Sequence, residues 1–221
     1  MGGSGAPYDY VRDPDAITRL SFERIRAEAR LAHLPGLMRA VAERVVHATA
    51  NVDAADCLRF TPDAAETVRA ALAAGAPILA DAHMVARGIT RRFLPAGNAV
   101  ICRLDDDGVA AEAKARSETR SAVAVERWRG DLCGAVCVIG NAPTALFRLL
   151  EMLQDGAPPP AAVIGFPVGF VGAEESKQAL MDYAFTAAAE PRLPVITMAG
   201  RLGGSPAAAA ALNAIALGGN P

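Results

Sequence analysis

The sequence lacks the long apolar runs and the excess of charge that mark several large classes of protein. No stretch of its 221 residues approaches the roughly eighteen consecutive apolar residues of a membrane-spanning helix, and the N-terminal MGGSGAPYDYVRD has no apolar core of a secretory signal. The formal net charge is only -2, so the chain has no overall field for nucleic acid or an anionic membrane. These absences predict a cytoplasmic protein that binds any anion through local groups.

Cysteine pairs and nucleotide motifs are also missing. Cys57, Cys102, Cys133 and Cys137 form no CxxC pair, and three of them lie in or beside apolar runs, so we predict buried, reduced thiols and no metal site. The chain has neither the GxGxxG nor the GxxxxGK[ST] phosphate loop, and it has no GxSxG or HExxH motif. Dinucleotide, triphosphate, serine-hydrolase and zinc-peptidase chemistry therefore have no support in the sequence.

Five short runs rich in branched apolar residues, separated from one another by predicted helices, indicate the core of the fold. The runs are 77–80, 99–104, 135–139, 161–166 and 194–198, and one of the intervening helices covers 110–129. Helical crossovers between such runs are typical of a parallel sheet covered on both faces. We therefore predict an α/β fold with a doubly wound, five-stranded parallel sheet in the order 2-1-3-4-5.

Two further helices precede this pattern. Asp13 and Pro14 provide an N-cap and a first-turn proline for the first helix, and the second helix covers about 37–50. These two helices are expected to pack over the ends of the strands or at a subunit interface. Residues 1–6, MGGSGA, are predicted to be a flexible tail, and residues 7–221 to form a single domain.

The loops after the predicted strands concentrate the polar chemistry. The segment 81–98 holds His83, Arg87, Arg91 and Arg92 just beyond the first strand, where α/β proteins bind ligands. A solvated basic loop is the competing interpretation, since charged runs mostly face water. The segment 140–144 adds a helix start suited to an anion, and 199–205 adds a further arginine. Arginines, glycines and apolar surface together suit a large, flat ligand fringed with carboxylates.

His47 lies on the second helix, about 200° around from its apolar stripe, with Glu43 and Arg44 as neighbours on the same face. A histidine in such a position is most often a solvated surface residue. Imidazole is also the side chain best suited to proton transfer near neutral pH. The position alone leaves both interpretations open.

Several long motifs, in order along nearly the whole chain, carry a resemblance to a known family. The sequence resembles the precorrin-8X methylmutases, also called precorrin isomerases, of cobalamin biosynthesis. The motifs that carry it are DAHMVARGIT (81–90), LPAGN (94–98), TRSA (119–122), GNAPTAL (140–146) and GFPVGFVGAEESK (165–177).

The resemblance implies a homodimer of flavodoxin-like subunits with a shared active site. It implies an isomerase that moves a methyl group from C-11 to C-12 of precorrin-8X, giving hydrogenobyrinate by a 1,5-sigmatropic shift without a redox cofactor or a metal. A histidine on the second helix serves that family as proton donor and acceptor, and His47 matches it. His83 competes for this role, although a structural or ligand-edge role suits it better.

The family's substrate carries acetate and propionate side chains, which implies a set of cationic and hydrogen-bonding residues around it. Arg92 is expected to be solvated, and the helix start near Thr144 is expected to add hydrogen bonds. The candidates for substrate binding are Ser21, Arg26, Arg87, Thr90, Arg91, Arg116, Thr119, Arg120, Ser121, Asn141 and Arg201.

Three alternatives stay open. The substrate is either metal-free precorrin-8X or the cobalt-precorrin-8 of the anaerobic pathway, and GNAPTAL with the arginine loop favours the metal-free form. A second alternative is a carrier that binds a tetrapyrrole without converting it. A third is an unrelated flavodoxin-like domain with flavin, which the missing phosphate loop after the first strand disfavours.

Overall fold

The structure, a computed structural model, describes residues 8–185 and 193–219. The predicted tail at 1–6 lies outside these ranges, and the single domain over 7–221 stays a prediction. Within the described ranges the chain forms ten α-helices. They are α1 (Pro14–Glu28), α2 (Gly36–Thr49), α3 (Ala54–Cys57), α4 (Ala64–Ala73), α5 (His83–Gly88), α6 (Val109–Arg116), α7 (Arg120–Glu126), α8 (Pro143–Gln154), α9 (Ala173–Phe185) and α10 (Ser205–Ala216).

One mixed sheet joins the strands of the described residues. The strands are β1 (Leu58–Phe60), β2 (Ile78–Ala80), β3 (Val100–Ile101), β4 (Val136–Ile139), β5 (Ala162–Gly165) and β6 (Val195–Met198). Their order is β1-β6-β5-β4-β2-β3, and every pair is parallel except β1 with β6. Because β2 to β6 correspond to the five predicted strands, the parallel part of the sheet has the predicted order.

The prediction of five strands was wrong by one, because β1 adds an antiparallel edge strand. It is only three residues long and carries a polar residue, Arg59, so its sequence has no apolar run to reveal it. Thr61 extends the pairing: its N–H donates to the Val195 carbonyl at 3.0 Å, and its hydroxyl accepts from the Val195 N–H at 3.0 Å. The edge strand is therefore specified by contacts with β6 and not by its own pattern.

Helices cover both faces of the sheet. Successive strand residues point to opposite faces, so Ile78 and Ala80 join the core under α2, α4 and α10, while Leu79 joins the core under α7, α8 and α9. The alanine-rich α10 allows close approach on the first face. A Cβ atom on Gly88 would lie 2.8 Å from the Cβ of Ala209, so the end of α5 packs directly on α10.

The contacts of α10 also fix the direction of α2. A Cβ on Gly219, just beyond the end of α10, would lie 3.4 Å from Leu37 and 3.8 Å from Ala40, which are at the start of α2. The two helices are therefore antiparallel. Since α10 begins at the carboxyl edge of the parallel strands, the end of α2 that carries His47 returns to that edge.

Three local predictions were wrong. The helix predicted over 110–129 is interrupted, because Ser117 adopts a left-handed conformation (φ 55°) and Thr119 caps a new helix, α7. The segment 81–98 is not a plain loop, since it contains α5 and a 3-10 turn, Arg91–Phe93. Cys133 is exposed and Cys57 and Cys102 are half-buried, which leaves Cys137 as the one cysteine that is buried as predicted.

Candidate active site

A serine and a histidine meet between the two N-terminal helices. Oγ of Ser21 on α1 lies 2.8 Å from Nδ1 of His47 on α2. The ring of Phe22 stacks on the imidazole, with centroids 5.2 Å apart and planes within 6°. These contacts fix the plane of the ring and occupy one of its nitrogens. Nε2 is therefore the nitrogen of His47 that can exchange a proton with a ligand.

An ion pair holds the same two helices together. Nε and Nη2 of Arg26 lie 3.0 and 2.9 Å from Oε2 of Glu43, which is buried on α2 one turn before His47. The hydrogen bond to Glu43 raises the pKa of Arg26 above its ordinary value. The structure thus places Arg26, a predicted substrate-binding residue, in a pair with a carboxylate of the protein. Sequence reasoning noted Glu43 only as a neighbour of His47.

His47 lines an open cavity of about 410 Å³. Ser21, Arg24 and Glu28 add polar groups to its wall, and the rest is mostly apolar. The apolar lining residues are Val11, Ile17, Leu20, Ile25, Val46, Ala50 and Val52. Apolar pockets with a few placed polar groups are typical ligand sites, and this one sets a proton-transfer group beside a surface suited to a flat apolar ligand.

A second cavity, of about 460 Å³, lies beside the segment that follows β2. His83, Arg87 and Arg91 line it, together with Cys102 beyond β3. Burial raises the pKa of the Cys102 thiol, which disfavours the reactive thiolate. Within the described residues neither Arg87 nor Arg91 pairs with a carboxylate. Both guanidinium groups are therefore available to an anionic ligand.

An aspartate of the acidic turn after β3 reaches this cavity's rim. Nε2 of His83 lies 2.8 Å from Oδ2 of Asp105, and Nη1 of Arg120 lies 3.7 Å from Oδ1. All three side chains are at least half exposed. The structure thus gives His83 a carboxylate partner of its own. Sequence reasoning did not predict this contact.

Asn213 on α10 binds the last residue of α5 and Thr90, two residues beyond it. Its Oδ1 accepts from the N–H of Thr90 at 2.9 Å, and its Nδ2 donates to the carbonyl of Gly88 at 2.9 Å. The backbone of Thr90, a predicted substrate-binding residue, is therefore fixed by a side chain of α10. No signal in the alanine-rich stretch around Asn213 pointed to this role.

Asp81 is the first residue after β2, and its side chain binds the start of the loop between β4 and α8. It is 2 % exposed, and its two oxygens accept from the N–H groups of Gly140, Asn141 and Ala142 at 2.9, 2.9 and 2.8 Å. Burial raises the pKa of this carboxyl, and the three hydrogen bonds oppose that shift. The three N–H groups just before the helix that begins at Pro143 are thus already bound to a carboxylate of the protein.

Arg116 lies in a dense charge network away from both cavities' linings. Its guanidinium nitrogens are 2.9, 2.9 and 2.7 Å from carboxylate oxygens of Glu112, Glu118 and Glu126. Arg148 joins through Glu118 and Glu126. The hydrogen bond from Arg116 lowers the pKa of Glu126. The charge of Arg116 is therefore compensated within the protein.

The remaining predicted residues lie at the start of α7, before α8 and after β6. Thr119 accepts from the N–H of Ala122 at 3.2 Å and shares a hydrogen bond of 2.7 Å with Thr144. Ser121 is buried, and Asn141 is exposed. The guanidinium of Arg201 lies 5.3 Å from the ring centroid of Phe170. The structure thus brings together Ser21 and His47, and separately Arg87 and Arg91, but leaves the others dispersed.

A buried lysine supports the loop that carries Arg201. Nζ of Lys177 donates to the carbonyl of Leu202 at 2.5 Å, and the residue is 2 % exposed. Burial lowers the pKa of Lys177 to about 8. Sequence reasoning considered Lys177 only as part of a failed phosphate-loop match.

Two kinds of feature are absent from the described residues. Within 8–185 and 193–219, no three histidine, cysteine or acidic side chains come together as metal ligands. No helix in that part of the chain is long and apolar enough to cross a membrane.

Comparison with known proteins adds the identity of the family. A family model described as precorrin-8X methylmutase matches residues 16–217. The precorrin-8X methylmutase of Pseudomonas aeruginosa is 57% identical over 209 residues, covering 94% of this chain and 97% of the relative. The cobalt-precorrin-8 methylmutase of Salmonella typhimurium is 38% identical over 215 residues, covering 93% and 96%.

A solved structure is similar over the same length. The precorrin-8X methylmutase of Thermus thermophilus superposes with a TM-score of 0.81 at 39% identity, covering 94% of this chain and 98% of that one. This structural similarity and the family match over residues 16–217 agree with the resemblance carried by the sequence motifs. The chain belongs to the precorrin-8X methylmutase family.

Proposed function

We propose that this chain is an isomerase of cobalamin biosynthesis that moves a methyl group from C-11 to C-12 of precorrin-8X, giving hydrogenobyrinate. The observation that carries the proposal is the Ser21–His47 pair at a largely apolar cavity, in a chain of this family. The rearrangement conserves every atom of the substrate. The protein therefore needs to bind the macrocycle, orient it and move a proton.

The contacts of His47 suit reversible proton transfer at one nitrogen. Ser21 Oγ lies 2.8 Å from Nδ1, so it can accept from Nδ1–H in the imidazolium and in the neutral tautomer that keeps its proton on Nδ1. The proton that moves is then the one on Nε2. Protonating the conjugated macrocycle redistributes its electrons and lowers the barrier to migration, after which Nε2 takes the proton back. Stacking on Phe22 keeps the ring in one orientation throughout.

The metal-free substrate is the better supported of the two. Identity is 57% to the Pseudomonas aeruginosa relative, named for precorrin-8X, and 38% to the Salmonella typhimurium relative, named for cobalt-precorrin-8, over similar lengths. The difference supports metal-free precorrin-8X as the substrate. Four free cysteines suit a reducing compartment, and we place the reaction in the cytoplasm.

The substrate's carboxylates need cations that no carboxylate of the protein has already paired. Arg87 and Arg91 meet that condition at their cavity, whereas Arg26 and Arg116 are held by Glu43 and by three glutamates. The proposal therefore gives Arg26 and Arg116 no direct substrate contact. It keeps Arg120, because its contact with Asp105 is long (3.7 Å) and exposed. The other candidates that it keeps are Ser21, Arg87, Thr90, Arg91, Thr119, Ser121, Asn141 and Arg201.

The proposal includes a homodimer of flavodoxin-like subunits with a shared site. The cavities lined by His47 and by Arg91 have no residue in common, so one subunit alone divides the machinery between two places. Large apolar side chains also stay exposed near the first cavity and after β5, including Tyr10, Ile17, Phe170 and Val171. A second copy that covers such surfaces can bring one subunit's histidine to the other's arginines.

The first experiment is the visible spectrum of the protein mixed with metal-free precorrin-8X. Wild type is expected to shift it to the hydrogenobyrinate chromophore, and His47→Ala is expected to lose at least about a hundredfold in rate, since general acid–base catalysis contributes that much. His33→Ala, which removes an exposed histidine outside the cavity, is the matched control and is expected to keep full activity. Binding without conversion by wild type would instead favour a carrier, and equal conversion by His47→Ala would refute the role of His47.

The shared site is tested by complementation. We expect co-expressed His47→Ala and Arg91→Ala chains to recover activity, up to about a quarter of wild type, because half of the dimers are mixed and each mixed dimer contains one intact site. At substrate concentrations well below KM, Arg91→Ala expressed alone should keep at most about a tenth of the wild-type rate, and His47→Ala at most about a hundredth. No recovery in a dimer shown by sedimentation to be mixed would place both residues in the same subunit's site.

A further inference from the structure

The ends of β2 and β4 meet at a special position in the sheet. The chain continues from β2 to β3 on one side, while β4, β5 and β6 extend on the other, so the order reverses between β2 and β4. Doubly wound proteins bind their ligands in the crevice at such a reversal. Asp81 is the first residue after β2, and its N–H donates to the carbonyl of Val138 in β4 at 3.3 Å.

The side chain of Asp81 places a carboxylate of the protein at that crevice. Its side chain accepts three N–H groups of the loop before α8, which are the donors that an anionic ligand would otherwise use. Burying a carboxylate is costly, and only such a set of hydrogen bonds offsets the cost. These three N–H groups are therefore not available to a substrate carboxylate.

Asp81 connects two segments that carry predicted substrate-binding residues. Its main chain leads directly into α5, which carries His83 and Arg87, and its side chain holds the backbone of Asn141. Gly140 lies between the two, packed so closely that a Cβ there would come within 2.9 Å of Val85 in α5 and of the backbone of Ser205. The two segments consequently have one arrangement relative to each other.

We propose that Asp81 is a positioning residue, which holds Asn141 and the start of α5 in the arrangement that binds the carboxylate-bearing edge of the substrate. The inference rests on the proposed function. Asp81 itself does not touch the substrate. A purely structural cap would stabilise the fold without any bearing on how Asn141 binds, and the two roles are separable by kinetics.

The test is a double-mutant cycle between Asp81→Asn and Asn141→Ala, measured as KM and kcat for metal-free precorrin-8X. An amide at residue 81 keeps the size of the side chain but sets an NH₂ group against backbone donors. We expect each single variant to raise KM about tenfold, the loss of one hydrogen bond to a charged group. In the double variant KM should rise less than about twofold above that of Asp81→Asn, because Asn141 is already misplaced. His47 lies on α2, so kcat should change less than KM.

Thr61→Val is the matched control, since it removes another buried side-chain acceptor of a backbone N–H, at the β1–β6 pair. It is expected to lower Tm and leave KM unchanged. If Asp81→Asn does not fold, Asp81→Ser, which retains an acceptor oxygen, takes its place in the cycle. Independent, multiplicative effects of the two substitutions on KM overturn the positioning role while leaving the proposed function intact. A wild-type chain that neither binds nor converts the pigment overturns both.

Discussion

Arginines in two regions of the molecule have opposite surroundings. In the segment after β2, Arg87 and Arg91 line a cavity and have no carboxylate partner among the described residues. In the network of α6, α7 and α8, Arg116 is within 3 Å of three glutamates. Both regions carry arginine in a motif-rich stretch, and both were candidates for binding substrate. Only the first has charge to offer to a ligand.

The difference shows what determines whether a cation is available. Glu112 lies one helical turn before Arg116, so that pair is visible in the sequence, but Glu126 comes from the next helix and approaches because the chain breaks at Ser117. Partners that arrive across a helix break cannot be read from spacing. Whether an arginine is free to bind a ligand is therefore determined by the tertiary structure.

Arg91→Ala is expected to weaken substrate binding, because it removes an arginine that has no carboxylate partner among the described residues. Removing an arginine that binds a carboxylate costs about 1.5–3 kcal/mol, so KM for precorrin-8X should rise by about ten- to a hundredfold. Steady-state kinetics with metal-free substrate make the measurement. Arg92→Ala is the matched control, because the neighbouring Arg92 lies over the Phe93 ring and does not line the cavity. Equal effects of the two substitutions would contradict a specific contact by Arg91.

Glu43→Gln should act on catalysis and not on binding. The amide weakens the pair with Arg26 that joins α1 to α2, so Ser21 and His47 lose their fixed geometry. We expect kcat to fall about tenfold with KM within about twofold, since small misplacements of catalytic groups are costly. Glu23→Gln, on the exposed face of α1, is the control. A rise in KM equal to that of Arg91→Ala would instead place Arg26 among the residues that bind substrate.

The sequence predicted those features of the fold that repeat along it, whereas the role of His47 stays a prediction. Alternating apolar runs and helices were enough for the order of the parallel strands, and the family motifs led to His47. The short edge strand at Leu58–Phe60 has no such pattern and depends on β6 for its pairing. The contact between Asp81 and the loop at Asn141 joins positions sixty residues apart, so it exists only in the folded chain. Contacts between segments that lie far apart in the chain therefore could not be predicted from the sequence.

Arg116→Met should separate stability from function. The substitution leaves Glu112, Glu118 and Glu126 close together without their shared cation, and like charges then repel. We expect Tm to fall by a few degrees and the loss to shrink as salt is added, with KM unchanged. Thermal melts at low and high ionic strength, beside steady-state kinetics, make the comparison. A raised KM with an unchanged Tm would return Arg116 to the substrate-binding set.

Lys177 represents a third kind of cation, which is buried with a backbone carbonyl as its partner and pairs with no carboxylate within residues 8–185 and 193–219. Burial lowers its pKa to about 8 in the folded protein, whereas an unfolded lysine titrates near 10.4. Below pH 8 both states are charged and the folded state bears the full cost of the buried ammonium. Between about pH 8 and 10 the unfolded chain binds more protons, so stability rises with pH.

Lys177→Met removes this titration and keeps the length of the side chain. The difference in unfolding free energy, wild type minus variant, should therefore be constant below pH 8. Above it, the difference should move in favour of wild type by less than the one-proton limit of about 1.4 kcal/mol per pH unit. Urea titrations of both proteins at pH 7, 8, 9 and 10 measure it, and the subtraction cancels every other group that titrates in that range. A difference that stays flat to pH 10 would mean that Lys177 titrates as a solvated amine, and that a carbonyl partner is enough to hold a buried cation without a carboxylate.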